Sequence, residues 1–309
     1  MRVYDEMMNS QAKVEKYGGL AAASSSYILW GILPIYWKLL QEVPAYEILC
    51  HRMSWSLVVS LLLILVFGRK RFLWQVLKER KTVLVFTLIA FLLAVNWLIY
   101  IWAVNNGHII EASLGYFINP LINVLFGMIF FRERMRPVQW LALALVCCGV
   151  LYLTFYYGHF PWIAIILAVT FATYGLLHKK VALPPLDGLC LESLVLFLPA
   201  LVFLCYLEVT GNGSFLRGDM PLSLLLFGTG VVTVVPLLFF GYAANKIPLS
   251  TLGLLQYMAP TINLLIGLFL YNERFPRERM VGFSLIWIAL LMYIVENLMT
   301  RMRGEKRTL

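Results

Sequence analysis

Charge is what this sequence has least of. Only 13% of its 309 residues are Asp, Glu, Lys or Arg, against about 25% in a soluble domain, whose surface must face water. With 61% of the chain hydrophobic, a soluble fold of this length is excluded. A disordered chain is excluded too, since disorder needs low hydrophobicity and high net charge. Cysteine is scarce: Cys50, Cys147, Cys148, Cys190 and Cys205 all lie in apolar runs. That excludes a disulfide scaffold and suits small buried side chains. Enzyme signatures are missing as well. There is no phosphate-binding glycine loop, no metal-ligand cluster and no nucleophile beside a base, and His51, His108, His159 and His178 are scattered. The chain reads as a non-enzyme, with neither metal nor cofactor. The first 17 residues carry Arg2, Asp5, Glu6, Glu15 and Lys16, and they lack the apolar core and small-residue cleavage site of a secretion signal.

What the sequence has is long apolar runs. A helix needs about 20 apolar residues to cross a hydrocarbon core about 30 Å thick. Ten segments qualify: 18–40, 45–68, 82–105, 109–131, 136–157, 161–178, 188–209, 221–244, 248–271 and 279–299. A closed barrel needs alternating strands of about ten residues, and runs such as LVVSLLLILVFG at 57–68 do not alternate. The expected class is an all-α integral membrane protein with ten transmembrane helices.

Orientation follows from Lys and Arg in the short loops. Nineteen of the 25 basic residues fall on the side that holds both termini, and four (Arg217, Arg274, Arg277, Arg279) on the other. Both termini are therefore expected in the cytoplasm. The net charge of +9 is an orientation signal and not a nucleic-acid footprint. The segment 69–81 (RKRFLWQVLKERK) is expected to lie along the inner headgroups, with Phe72, Leu73, Trp74 and Leu77 toward lipid.

Comparing the chain with itself at a shift of 140 residues reveals a repeat. Pro120, Asn123, Gly127, Glu133 and Arg134 recur as Pro260, Asn263, Gly267, Glu273 and Arg274, among twelve matches between 103 and 152. The implied units are a five-helix repeat at 18–157 and a second at 158–299, between a tail at 1–17 and a basic tail at 300–309. Five is odd, so the second copy is inverted. Inverted repeats meeting at a midplane site are the architecture of many secondary transporters. Pro120 and Pro260 each remove one backbone N–H in equivalent helices, the fourth and ninth. They are candidate hinges, and packing kinks are the plainer alternative.

Ionisable residues within a span are costly and mark a pathway or an internal pair. The second segment carries Glu47, His51 and Arg52; the fourth carries Glu111, Gly115, Asn119 and Asn123 at steps of four, which is one helical stripe. The ninth offers Gln256, Tyr257, Pro260 and Asn263, and the third Asn96. In one reading Arg52 pairs with Glu47 or Glu111, and the amides tie helices together. In the other Arg52 holds a substrate carboxylate or similar acceptor, while Glu47, His51 or Glu111 meets a substrate cation or takes up a proton. Aromatics crowd the same helices, and Trp30 and Tyr257 near mid-span are candidates to line a pocket for amphipathic solutes. The pathway set is thus Arg52, Glu47, His51, Glu111, Asn119, Asn123, Gln256, Tyr257, Asn263, Trp30 and Asn96.

The strings WGILPIYWK (30–38), EILCHRMSWS (47–56), NWLIYIWAVNNGH (96–108) and EASLGYFINPLINVLFGMIFFRERM (111–135) closely resemble RarD-type members of the EamA family, within the drug/metabolite transporter superfamily. So do YGLLHKK (174–180) and VPLLFFGYAANKIPLSTLGLLQYMAPT (235–261). The resemblance implies a permease of the bacterial inner membrane with two inverted repeats, each ending in a Glu, here Glu133 and Glu273. It also implies export or exchange of amino acids, metabolites or drugs; the RarD label "chloramphenicol-sensitive" points the same way. Together these readings give a secondary transporter working by alternating access on a small-molecule substrate, surrounded by lipid and without nucleic acid. Proton coupling and a homodimer are both compatible with it. The alternative is a non-transporting sensor or assembly factor that binds a cytosolic partner through its basic loops.

Overall fold

The computed structural model describes residues 2–105, 109–157, 162–215, 220–270 and most of 280–299. All regular structure among the described residues is helical. The helices are α1 (Arg2–Leu39), α2 (Ala45–Val66), α3 (Lys70–Lys78), α4 (Arg80–Asn105), α5 (Ile109–Phe131), α6 (Pro137–Tyr157), α7 (Trp162–Val181), α8 (Pro185–Val209), α9 (Met220–Lys246), α10 (Leu249–Leu255) and α11 (Met258–Phe269). Seven of them, α1, α2, α4, α6, α7, α8 and α9, hold stretches long and apolar enough to cross a membrane. Shorter apolar stretches are Gly115–Phe131 and Met280–Ala289. The protein is a multi-pass membrane protein.

The sequence pattern needs three adjustments. The first helix begins at Arg2 and so runs on from the segment expected as a tail. The basic segment after α2 forms the short α3, closed at Glu79, with Trp74 exposed and Val76 buried against the bundle. The ninth apolar segment is one run in sequence but two helices in space, parted at Gln256 and Tyr257. Pro260 has no N–H for the Gln256 carbonyl, which the Ala259 N–H takes instead at 3.2 Å. The equivalent Pro120 lies inside an unbroken α5.

Proline and glycine set the helix ends. Pro44, Pro184 and Pro248 stand just before α2, α8 and α10 in extended geometry. A proline ring fixes φ and cannot donate, so it fits where no intrahelical bond is needed. Gly68 and Gly211 stop α2 and α8 at φ 65° and 76°. In each case the N–H after the glycine reaches back to the carbonyl five residues earlier, Arg69 to Ile64 and Asn212 to Leu207, both at 2.9 Å. This is the left-handed cap that glycine supplies without a Cβ clash.

Polarity is distributed inside out. Val66, Phe155 and Val209 are 78%, 79% and 88% exposed, while Ser26, Glu47, Asn119, Asp187 and Glu192 are buried. Hydrocarbon gives apolar side chains no reason to bury and penalises exposed polar ones. Helices therefore meet through small residues. Gly115 of α5 faces the Ala164 carbonyl of α7, 3.0 Å from where a Cβ would stand, and Ala164, Ala168 and Ala172 of α7 are all buried. The α5–α7, α1–α9, α2–α8 and α2–α9 pairs form the main packing surfaces, with α10 against α5 and α11 against α1.

Candidate functional site

Arg52 lies two turns into α2 and has no carboxylate partner among the described residues. Its Nε donates to Thr233 Oγ1 of α9 at 3.1 Å. Its guanidinium carbon stands 4.9 Å from the ring centre of Trp37 (α1) and 4.4 Å from that of Trp97 (α4). Two indole faces hold the cation by their quadrupoles, and a planar guanidinium fits such a slot better than an ammonium. The pairing with Glu47, one of the two alternatives the sequence left open, is absent. Glu47 turns to the loop after α8, where Oε1 accepts from Ser214 N at 2.5 Å and Oε2 from Ser214 Oγ at 3.0 Å.

The space in front of Arg52 is a cavity of about 200 Å³. Around it stand Trp30, Pro34 and Trp37 of α1, Asn96, Trp97 and Tyr100 of α4, Tyr116 of α5, Phe171 of α7 and Thr233 of α9; Gln256, Pro260 and Asn263 close it at the α10–α11 break. Arg52 is the one formal charge in the described lining. The cavity occupies the half of the bundle where α1 and α4 end and α2 and α5 begin.

A ladder of amides connects this cavity to the helix packing. Asn119 Nδ2 donates to the Ala168 carbonyl at 2.7 Å. Asn123 Nδ2 lies 3.1 Å from both Asn119 Oδ1 and Gln256 Oε1, so the chain of contacts runs from α7 through α5 to the broken helix. Each amide here replaces a hydrogen bond that hydrocarbon cannot offer. Asn96 Nδ2 similarly reaches the Leu167 carbonyl and Thr170 Oγ1, both at 2.8 Å. Tyr257 donates from its hydroxyl to the Phe117 carbonyl at 2.8 Å, which ties the break before Pro260 to the turn before Pro120.

Toward the other end of the bundle the cavity meets an aromatic floor. Trp30 lies 5.8 Å from Phe171 and 5.6 Å from Phe240. Tyr27, below it, donates to the Leu252 carbonyl at 3.0 Å. Beyond the floor, Glu133 closes the start of α10, accepting from Leu249 N at 2.8 Å and Ser250 N at 2.9 Å. A carboxylate there meets free helix N–H groups and the positive end of the dipole.

Of the residues singled out from sequence, Arg52, Trp30, Asn96, Gln256, Pro260 and Asn263 line the cavity. Asn119, Asn123 and Tyr257 stand behind it, and Pro120 lies against the wall helix α10, with its carbonyl 2.8 Å from the position of a Gly253 Cβ. Glu47 and His51 are placed away from it. His51 accepts from Trp55 Nε1 at 3.2 Å, packs 5.0 Å from Phe215, and keeps Nε2 3.9 Å from Glu47 without a hydrogen bond. The Glu111 side chain lies outside the described residues. Sequence reasoning noted Trp37, Trp97, Tyr100 and Tyr116 only as abundant aromatics, and it passed over Phe171 and Thr233. It also missed Glu192 of α8, although an ionisable residue inside an apolar run is itself the signal.

Membrane-length helices packed around an internal cavity of aromatic and amide side chains, with Arg52 as the one charge in its described lining, define a multi-pass membrane protein. The model of the EamA-like transporter family matches the chain twice, at residues 17–155 and 161–295. The protein named RarD from Streptomyces exfoliatus is 44% identical over 96% of this chain and 94% of its own. The RarD of Escherichia coli (strain K12) is 41% identical over 93% and 97%, and the uncharacterized transporter YojE of Bacillus subtilis (strain 168) 42% over 89% and 93%. A crystal structure described only as that of a protein superposes with a TM-score of 0.68 at 19% identity, over 90% of this chain and 97% of that one; that likeness concerns the fold. The chain belongs to the EamA-like transporter family. It is a membrane transporter and not an enzyme.

Proposed function

We propose that this is a secondary transporter of the bacterial inner membrane that moves small amphipathic metabolites, amino acids or drugs by alternating access, as exporter or exchanger. The single observation that carries the reading is Arg52, held between Trp37 and Trp97 at the wall of a cavity whose described lining offers it no acid. The substrate it suits has a carboxylate or comparable acceptor on a flat apolar body: the acceptor meets the guanidinium, and the body lies among Trp30, Tyr100 and Tyr116. One relative, in Pseudomonas aeruginosa, bears the name chloramphenicol-sensitive protein RarD at 29% identity, which makes that drug a sensible probe.

The architecture of this reading is ten transmembrane helices as two inverted repeats, 18–157 and 158–299. The double family match supports it, as does the recurrence of Pro120 and Asn123 as Pro260 and Asn263. With both termini in the cytoplasm, the Arg52 cavity falls in the outer half and the packed floor in the inner half, an outward-facing arrangement. Closure would then turn on Pro120 and Pro260, with Asn119, Asn123 and Tyr257 carrying the motion between helices. His51 and Glu111 remain candidates for charge or proton traffic at the outer end, whereas Glu47 is engaged by Ser214.

The test is counterflow into liposomes holding the purified protein, with amino acids, amphipathic organic anions and chloramphenicol as tracers. Uptake of one class that disappears in Arg52→Gln, with the variant still monodisperse, is the expected result. Uptake at the same rate in Arg52→Gln would remove Arg52 from the pathway. Absence of uptake for every tracer would count against the transport reading itself.

A further inference from the structure

Glu192 and His178 form a second buried polar centre, on the far side of the aromatic floor from Arg52. His178 Nε2 lies 2.6 Å from Glu192 Oε1, and the Tyr174 hydroxyl donates to Glu192 Oε2 at 3.3 Å. Glu192 is 1% exposed and His178 7%. Tyr174 is stacked 5.6 Å from Phe171, which lines the cavity. His178 stands seven residues beyond Phe171 on α7, about 10 Å along the axis at 1.5 Å per residue. The centre therefore joins α7 to α8 directly beneath the floor.

The neighbouring elements leave this pair to itself. From α4, Phe86 sets its ring edge-on to His178 at 5.6 Å. From α9, Phe240 stacks on Tyr174 at 5.9 Å. The α2 helix meets α8 through Leu57 and Ile64, and α5 meets α7 through Gly115 and Asn119. On α8, Asp187 is held by Arg69 at 2.5 Å, and Cys190 is a buried free thiol. On α7, Lys179 spends its ammonium on the Ile247 and Ala244 carbonyls, at 2.5 and 3.4 Å. Among the described residues no other ionised group compensates Glu192.

We propose that Glu192 and His178, with Tyr174, form a proton-binding site that governs opening of the inner side of the bundle; this rests on the transporter reading. With one proton between imidazole and carboxyl groups the pair is neutral as a unit and can stay packed in the span. When that proton leaves to water, a lone carboxylate remains beside a neutral imidazole, and an uncompensated charge in a span is costly. The cost is relieved only where water reaches the pair, that is, when α7 and α8 part under the floor. Loss of the proton therefore favours the inward-open form, and by reciprocity that form favours loss of the proton. The step moves one proton from the pair to water and needs no other reactant.

Cys190, two residues from Glu192, gives a substrate-free readout. In the purified protein its labelling by N-ethylmaleimide is counted by mass spectrometry, and wild type and variants are compared at the same pH, so that the pH dependence of the thiol itself cancels. From acidic to alkaline buffer the wild-type rate is expected to rise several-fold more than the rate in Glu192→Gln or in His178→Gln. Glu192→Asp, which keeps a carboxyl group, is expected to follow the wild type. The two Gln variants guard against one failing to fold, and size-exclusion profiles check both. A folded Gln variant whose labelling follows the wild type across the pH range overturns the proposal. Because no substrate is used, such a failure leaves the transport reading standing, and absence of uptake leaves the labelling result standing.

Discussion

Glu47, three residues past Pro44, grips Ser214 beyond the end of α8; Asp187, three residues past Pro184, grips Arg69 beyond the end of α2. The two carboxylates are 140 residues apart, the spacing of the sequence repeat. Each is fully buried, and each pins the start of one helix to the chain leaving its antiparallel neighbour. The α2–α8 pair is thus fastened at both ends, and the inverted-repeat reading accounts for the match. These contacts suit a frame better than a pathway.

A frame loses stability when cut. Asp187→Asn leaves the Arg69 guanidinium with a neutral partner, and the expected cost is about 1–3 kcal/mol, since one side of the pair is buried and the other partly open. Thermal unfolding in detergent should begin several degrees lower, while tracer uptake per folded molecule stays close to wild type. Uptake lost without a change in melting would assign Asp187 to the pathway instead.

Arg52→Lys tests whether shape or charge matters in the slot between Trp37 and Trp97. A lysine keeps the charge but lacks the planar fork, and it cannot reproduce both the Thr233 bond and the stacking. Uptake should fall about tenfold, equivalent to about 1.4 kcal/mol, while the lost contacts lower stability by only about 1 kcal/mol. An equal rate in Arg52→Lys would show that a point charge is enough.

Pro260→Ala restores an N–H to the turn that breaks α10 from α11. The expected variant melts higher and transports more slowly, because the Gln256 carbonyl regains its helical partner. Tyr257→Phe removes only the hydroxyl on the Phe117 carbonyl and should cost about 1 kcal/mol of stability. Melting curves and initial uptake rates, taken together, separate a hinge from a packing kink.

Gly230→Ala should be the most damaging of the small changes. A Cβ there would stand 2.6 Å from the backbone carbonyl carbon of Trp55, whereas Gly68, also a glycine but in open space, has nothing within 4 Å. Overpacking typically costs about 1–3 kcal/mol, so Gly230→Ala should push α9 off α2 and lower the yield of monodisperse protein. Gly68→Ala pays only for its left-handed φ, about 1 kcal/mol. Size-exclusion yields of the two variants rank the effects, and equal yields would contradict the tight α2–α9 contact.

The sequence alone determined that this chain spans a membrane many times as helices. It did so through the length of its apolar runs and the scarcity of charge, which are properties of segments and need no neighbours. It determined the recurrence of Pro120 and Asn123 as Pro260 and Asn263 for the same reason, and it picked out Arg52 because a cation in an apolar run is conspicuous by itself. Only the tertiary structure decided which polar residues meet. Glu47 and Arg52 are five apart on one helix, yet Glu47 serves the loop after α8 while Arg52 faces Trp37, Trp97 and Thr233 from three other helices. Equivalent prolines gave a broken helix at 260 and an unbroken one at 120, since the break depends on what packs against each turn. Thr233 and Phe171 carry no mark in sequence, because an ordinary Thr or Phe acquires a role only through the helices that surround it.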